Sequence, residues 1–218
     1  MEVQIKVPID QSEITLGQYQ RFMKLLEVNE DDLNEDFIAL KILEIFCGVP
    51  YMEGMKFDYT EVRSIADKIS DIINREEPFV QNFTMGSIQF GFIPKLDEIS
   101  FGEYVDLDEN LGKWENMHKT MAILYRPISR TFKDRYQVDE YTGLDLAESM
   151  RHMPLNAALG AMVFFYHLSR DLAINIQSYL KEEMQRNQVQ NFPANGDGII
   201  QFTEQLGEML RGLKISLR

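Results

Sequence analysis

The residues whose types and spacing come closest to a chemical motif lie near the end of the chain. Asn195, Asp197, Gly198, Ile200 and Glu204 take the third, fifth, sixth, eighth and twelfth places of an EF-hand loop, where oxygens surround calcium and a glycine makes the sharp turn. The first place falls on Pro193, which has no side-chain oxygen, so the loop loses a ligand from a set that depends on several. A glycine-rich turn leading into a capped helix accounts for the same residues, and no metal is favoured there. Asp106, Asp108 and Asn110 begin the same spacing, but Leu111 and Met117 replace the required glycine and glutamate. Carboxylates ahead of a helix predict a cap instead.

Other chemistry is thinly supplied. His118, His152 and His167 are far apart and lack zinc-ligand spacing. The chain has no G-x-S-x-G elbow, no Walker loop and no G-x-G-x-x-G. The adjacent Glu76 and Glu77 read as solvated charges at a helix end. Cys47 follows Phe46 in an apolar run with no basic neighbour to lower its pKa, which predicts a small buried hydrophobe made in a reducing, intracellular setting. The expectation is a protein that is not an enzyme and uses no cofactor.

The charge balance narrows the partners. Lys and Arg number 22 against 35 Asp and Glu, a formal charge of −13, which repels phosphate and opposes tight nucleic-acid binding. An acidic surface is still compatible with lining a channel through which DNA passes. The opening MEVQIKVPID lacks a basic segment followed by an apolar one, so no signal peptide is expected. The apolar run from Leu155 to Leu168 carries His167 and is followed by Arg170 and Asp171, short of the ~20 residues that span a bilayer.

Periodicity supplies the elements. Val3, Ile5 and Val7 alternate up to Pro8 and predict a strand paired with a second short strand at Ile14. Thr15 suits an N-cap for a helix over 16–27, and a central helix runs from Glu35 to Cys47 before Gly48 and Pro50. Thr60 is expected to cap the next helix, on which Val62, Ile65, Ile69 and Ile72 share a face. Phe83 and Met85, then Ile88, Phe90 and Phe92, alternate around Gly86-Ser87, a hairpin pattern. A helix carrying Leu111, Trp114, Met117, Met121 and Leu124 closes at Arg126-Pro127, and residues 128–144 read as loop. A long helix follows Pro154 to about Asn187, and a short one carries Phe202, Leu206, Met209 and Leu213. The expected fold is mainly α: one domain over 1–218, a compact multi-helix bundle with a small N-terminal strand pair and one central β-hairpin. Its helical core would cover about 16–75 and 110–215, and its hairpin lobe about 78–105.

Aromatic and apolar residues enriched at protein interfaces gather in the hairpin and just beyond it. Phe83, Ile88, Phe90, Phe92, Tyr104 and Trp114 are the candidate contact residues. Each is equally open to a core reading. Hairpin edges can also pair with a neighbouring subunit, so a homo-oligomer is one expectation.

The string from Phe92 to Asp108, Trp114-Glu115-Asn116-Met117, Ile123 to Ile128, Met153-Pro154-Leu155 with Gly160 to Phe165, and Asn195 to Ile199 together resemble virion-associated proteins of tailed bacteriophages, especially crAss-like phages of Bacteroidales. The resemblance covers roughly residues 90–200. It implies a virion protein, made in the host cytoplasm, at the head-tail connection or viral tail: a ring or adaptor subunit, or a packaged cargo protein. Its partners would be portal, ring or muzzle proteins, with no specific nucleic-acid or membrane binding. The alternative is a tail-assembly chaperone that leaves before the particle matures. Titrating the protein with millimolar calcium in a calorimeter is expected to give no binding heat; a saturable signal would restore Asn195, Asp197 and Glu204 as ligands.

Overall fold

Short polar side chains set the helix starts in a computed structural model, which describes residues 5–28, 34–95, 99–133, 135–168 and 170. Helix α1 (Leu16–Val28) begins with a reciprocal cap. The Gln18 amide N–H donates to Thr15 Oγ1 at 3.2 Å, and the Thr15 N–H donates to Gln18 Oε1 at 2.9 Å, so two otherwise orphaned donors are satisfied. Asn34 caps α2 (Glu35–Cys47), which stops at Gly48 in the left-handed conformation, φ 70°, where a side chain would strain the backbone. After a single turn, α3 (Tyr51–Gly54), comes α4 (Tyr59–Ile73), capped by Asp58 and not by Thr60. The Asp58 carboxylate accepts from the Thr60 and Glu61 amides and adds the charge that a helix N-terminus favours.

The N-terminal strand pair does not form among the described residues. Residues 5–9 carry no strand; instead Thr15 bridges Pro154. The Leu16 N–H donates to the Met153 carbonyl at 2.9 Å, and the Leu155 N–H to the Ile14 carbonyl at 2.8 Å. Gln11 then ties the N-terminal segment to the far end of α4. Its buried amide nitrogen lies 3.0, 3.2 and 2.8 Å from the carbonyls of Ile72, Ile73 and Arg75, acceptors that a helix C-terminus leaves open.

The larger correction concerns the sheet. β1 (Asn82–Met85) and β2 (Ile88–Phe92) form the expected hairpin. However, β3 (Tyr125–Phe132) pairs with β2 through Phe92↔Tyr125, Gly91↔Arg126 and Phe90↔Pro127, and β4 (Arg135–Val138) pairs with β3. The result is a four-stranded antiparallel sheet in the order β1-β2-β3-β4, packed against helices. The bundle with one central hairpin is therefore overturned, although helices still predominate among the described residues. Residues 128–144, read as loop, contain most of β3 and all of β4. Most of their side chains are exposed, with Ile128, Tyr136 and Val138 half-buried, so the only apolar alternation is the short one at Tyr136 and Val138.

The expected helix over 111–124 is likewise shorter, starting at Met117 after a 3-10 turn, and a separate helix precedes it. α5 (Phe101–Asn110) begins with a Ser100–Glu103 capping box. The chain turns at Gly112, makes a 3-10 turn at Trp114–Asn116, and enters α6 (Met117–Leu124). Asp106 and Asp108 therefore lie inside α5 and cap nothing. α7 (Ala147–Met150) and a helix over 155–168, α8, complete the described elements. The buried apolar residues form one cluster that joins α1, α2, α4, α6, α8 and the inner sheet.

Tyr125 joins the two halves of that cluster. It follows α6 directly, opens β3 and is fully buried. Its hydroxyl donates to the Val80 carbonyl at 2.6 Å, and its ring packs on Phe83 and Phe92, with centroids 5.3 Å away in both cases. Tyr125→Phe keeps the ring and removes the bond to a partly buried carbonyl, so unfolding free energy should fall by about 0.5–1.5 kcal/mol. Urea denaturation of the two proteins measures the difference, and an unchanged midpoint would show that the bond contributes nothing.

Candidate functional site

The aromatic residues expected at an interface divide between core and surface. Phe83, Phe90, Phe92 and Trp114 are buried within the chain itself. Phe83 stacks on Phe90 at 5.6 Å, Phe92 meets Tyr125, and Trp114 meets Tyr19 edge-on at 5.1 Å. Ile88 and Tyr104 remain at the surface, 50% and 56% exposed. Asn195, Asp197 and Glu204 lie outside the described residues. Among the described residues, no group of three or more His, Cys, Asp or Glu is placed to hold a metal ion, and no helix is long and apolar enough to cross a membrane. Cys47 is half-buried, and burial pushes its thiol up to about 11, which keeps it a poor nucleophile at neutral pH.

One buried polar cluster was not legible from the sequence. Gln20 on α1 donates to the Trp114 carbonyl at 2.7 Å and accepts from Arg151 Nη1 at 2.9 Å. Its amide nitrogen also lies 3.1 Å from His118 Nδ1, while Arg151 Nη2 lies 3.0 Å from His118 Nε2. Both imidazole nitrogens thus face donors, and Nε2 also lies 3.4 Å from Glu148 Oε1, a carboxylate oxygen that accepts when that nitrogen carries the proton. A neutral ring has one acceptor nitrogen and can satisfy one of the two; an imidazolium can satisfy neither. Burial, and then the Arg151 charge, hold His118 below its ordinary value, with Glu148 opposing. The residues that meet here come from positions 20, 114, 118, 148 and 151, and no local spacing announces them. The cluster ties α1 and α6 to the end of α7.

The exposed chemistry lies on two other elements. α5 is pinned to the sheet by its inner side: Glu103 Oε1 pairs with Arg126 Nη2 at 3.0 Å, and the Tyr141 hydroxyl donates to the Asp106 carboxylate. That leaves Phe101, Tyr104, Val105, Asp108 and Glu109 facing outward, with Phe101 83% exposed. The spacing of Phe101, Tyr104, Val105 and Asp108 makes one helical stripe, aromatic at its start and acidic at its end.

The second element is the β3–β4 hairpin. Tyr136 folds back over β2, its hydroxyl donating to the Phe92 carbonyl at 2.7 Å. A Cβ on Gly91 would lie 2.4 Å from the Tyr136 ring, so glycine is what lets the ring settle there. Around it runs an open groove of about 1040 Å³, lined by Gln81, Pro94, Lys95, Arg130, Arg135 and Gln137 among others. Phe132, 74% exposed, stands beside the turn, with Lys133 Nζ 5.8 Å from its ring centre. Arg130 and Arg135 are exposed and form no ion pair among the described residues. A chain with formal charge −13 therefore carries a local cationic, aromatic surface. Such a surface can take up carboxylates and apolar side chains. The run Arg126, Arg130, Lys133, Arg135 was the available signal, and reading it as loop concealed its geometry.

Compared with known proteins, the chain matches no family model, no curated protein and no solved structure.

The His118 environment predicts a pH dependence. Its folded pKa is lowered from 6.5, so below 6.5 the unfolded chain binds the proton that the folded ring resists. The stability contribution is full above 6.5 and is lost as pH falls from there through the lowered folded value. His118→Gln should flatten that part of the stability profile in urea titrations between pH 7.5 and 5; parallel profiles for the two proteins would remove His118 as the cause.

Proposed function

We propose that this chain is a non-enzymatic assembly protein of a tailed-phage particle, acting through protein–protein contacts as a ring or adaptor subunit of the portal, neck or tail region or as packaged cargo. The single observation that carries the reading is the β3–β4 hairpin, where Arg130, Phe132, Lys133 and Arg135 are all exposed on an acidic protein. Aromatic and arginine side chains are the types that anchor protein interfaces, and a cationic patch on an acidic chain favours an acidic protein partner through charge complementarity. The sequence resemblance over roughly residues 90–200 supports the phage setting.

Nucleic acid is a weaker partner for the same patch. The long-range field follows the summed charge of −13, which opposes accumulation of phosphate around the protein. Peptides of this chain are expected by mass spectrometry in particles purified from the phage that encodes it, at abundance comparable with other structural proteins. Abundant chain in infected cells but none in purified particles would instead make it a tail-assembly chaperone.

A further inference from the structure

Resting on that reading, we infer that the β3–β4 hairpin of one copy docks on the outward face of α5 of a second copy. The two surfaces are complementary in charge and alike in apolar character. Arg135 lies opposite Phe132 across the hairpin, and Arg130 and Lys133 flank it in the sequence, three cations against the one acidic residue of that stretch, Asp134; Asp108 and Glu109 follow Phe101, Tyr104 and Val105 on α5. Docking would bring Phe132 against the apolar part of the stripe and the arginines beside the carboxylates. Burying aromatic side chains that each expose more than half their surface supplies the attraction, and the opposed charges set the orientation.

The geometry makes the contact one between copies. Glu103 holds α5 at Arg126, at the start of β3. Phe132 stands at the other end of that strand, six residues on, or about 20 Å at ~3.3 Å per residue. Within one chain the two surfaces therefore lie apart, and neither Arg130 nor Arg135 on the hairpin nor Asp108 nor Glu109 on α5 forms an ion pair among the described residues. The contact joins unlike surfaces, so each copy keeps one hairpin and one helix face, and successive copies can close a ring or form a reciprocal pair.

The test uses sedimentation velocity on the full chain over a range of concentrations. The wild type should self-associate. Arg130→Glu with Arg135→Glu makes both surfaces acidic; Asp108→Lys with Glu109→Lys makes both basic. Each double variant alone should associate at least tenfold more weakly than the wild type, and an equimolar mixture should recover association, because acidic hairpins then meet basic helices and basic hairpins meet acidic ones. All four positions are exposed, and far-UV circular dichroism matching the wild type verifies the fold. A wild type that stays monomeric at its highest soluble concentration, variants that associate as the wild type does, or a mixture that fails to recover would each overturn the inference. If the wild type is monomeric yet the hairpin variant is lost from purified particles, the hairpin binds a different virion protein, so the inference falls and the proposed function stands. A chain absent from particles removes the proposed function and leaves the self-association result unaffected.

Discussion

The phenol of Tyr125 sits where the chain stops being helix and becomes strand, and most of the molecule is arranged around that switch. Leu124 ends α6 with its side chain fully buried, and Tyr125 opens β3 without an intervening loop. A strand that starts inside the core must find its hydrogen-bonding partner there, since an unpaired buried amide costs several kcal/mol in an apolar setting. β2 is that partner. Its Phe92 lies opposite Tyr125 and its Gly91 opposite Arg126. The hydroxyl then fixes the segment that leads into β1 through the Val80 carbonyl. Helices and sheet thus share one core and are joined by one residue that belongs to both.

Polar side chains tie the outlying elements to this centre. Gln11 closes the end of α4, Gln20 and Arg151 hold His118 between α1 and α7, and Glu103 joins the cap of α5 to Arg126 beside Tyr125. Each bond spans a long sequence separation, and each removes a buried polar group from the unsatisfied state. Because α5 is held from its inner side, its outer side is free to present Phe101 and Tyr104. Because Tyr136 is drawn back over Gly91, the hairpin beyond it presents Phe132 and its arginines. The exposure of both surfaces follows from how their elements are anchored.

Those anchors also explain what was legible. The bounds of α1 and α2 are close to those expected because Thr15, Gln18 and Gly48 act within one turn of the helix they limit. The β1–β2 hairpin was legible because one face is buried, which leaves alternating Phe83 and Phe90 in the sequence. The β3–β4 hairpin was not, because most of its side chains are exposed and the short alternation of Tyr136 and Val138 is set in a polar run that resembles a loop. The N-terminal strand pair failed for a different reason: Ile14 and Leu16 found backbone partners at Met153 and Leu155, a pairing that competes with any local one and leaves no local mark.

By itself, then, the sequence determined composition, charge, the bounds of α1 and α2 and the first hairpin, all of which depend on residues close together along the chain. Tertiary structure decided which aromatics are core and which are surface. Phe92 and Phe101 are the same residue type, yet Phe92 is enclosed by Tyr125 and Phe164 while Phe101 stands 83% exposed on the outer face of α5. Burial depends on what distant segments bring alongside a side chain, and side-chain type and spacing alone leave that open.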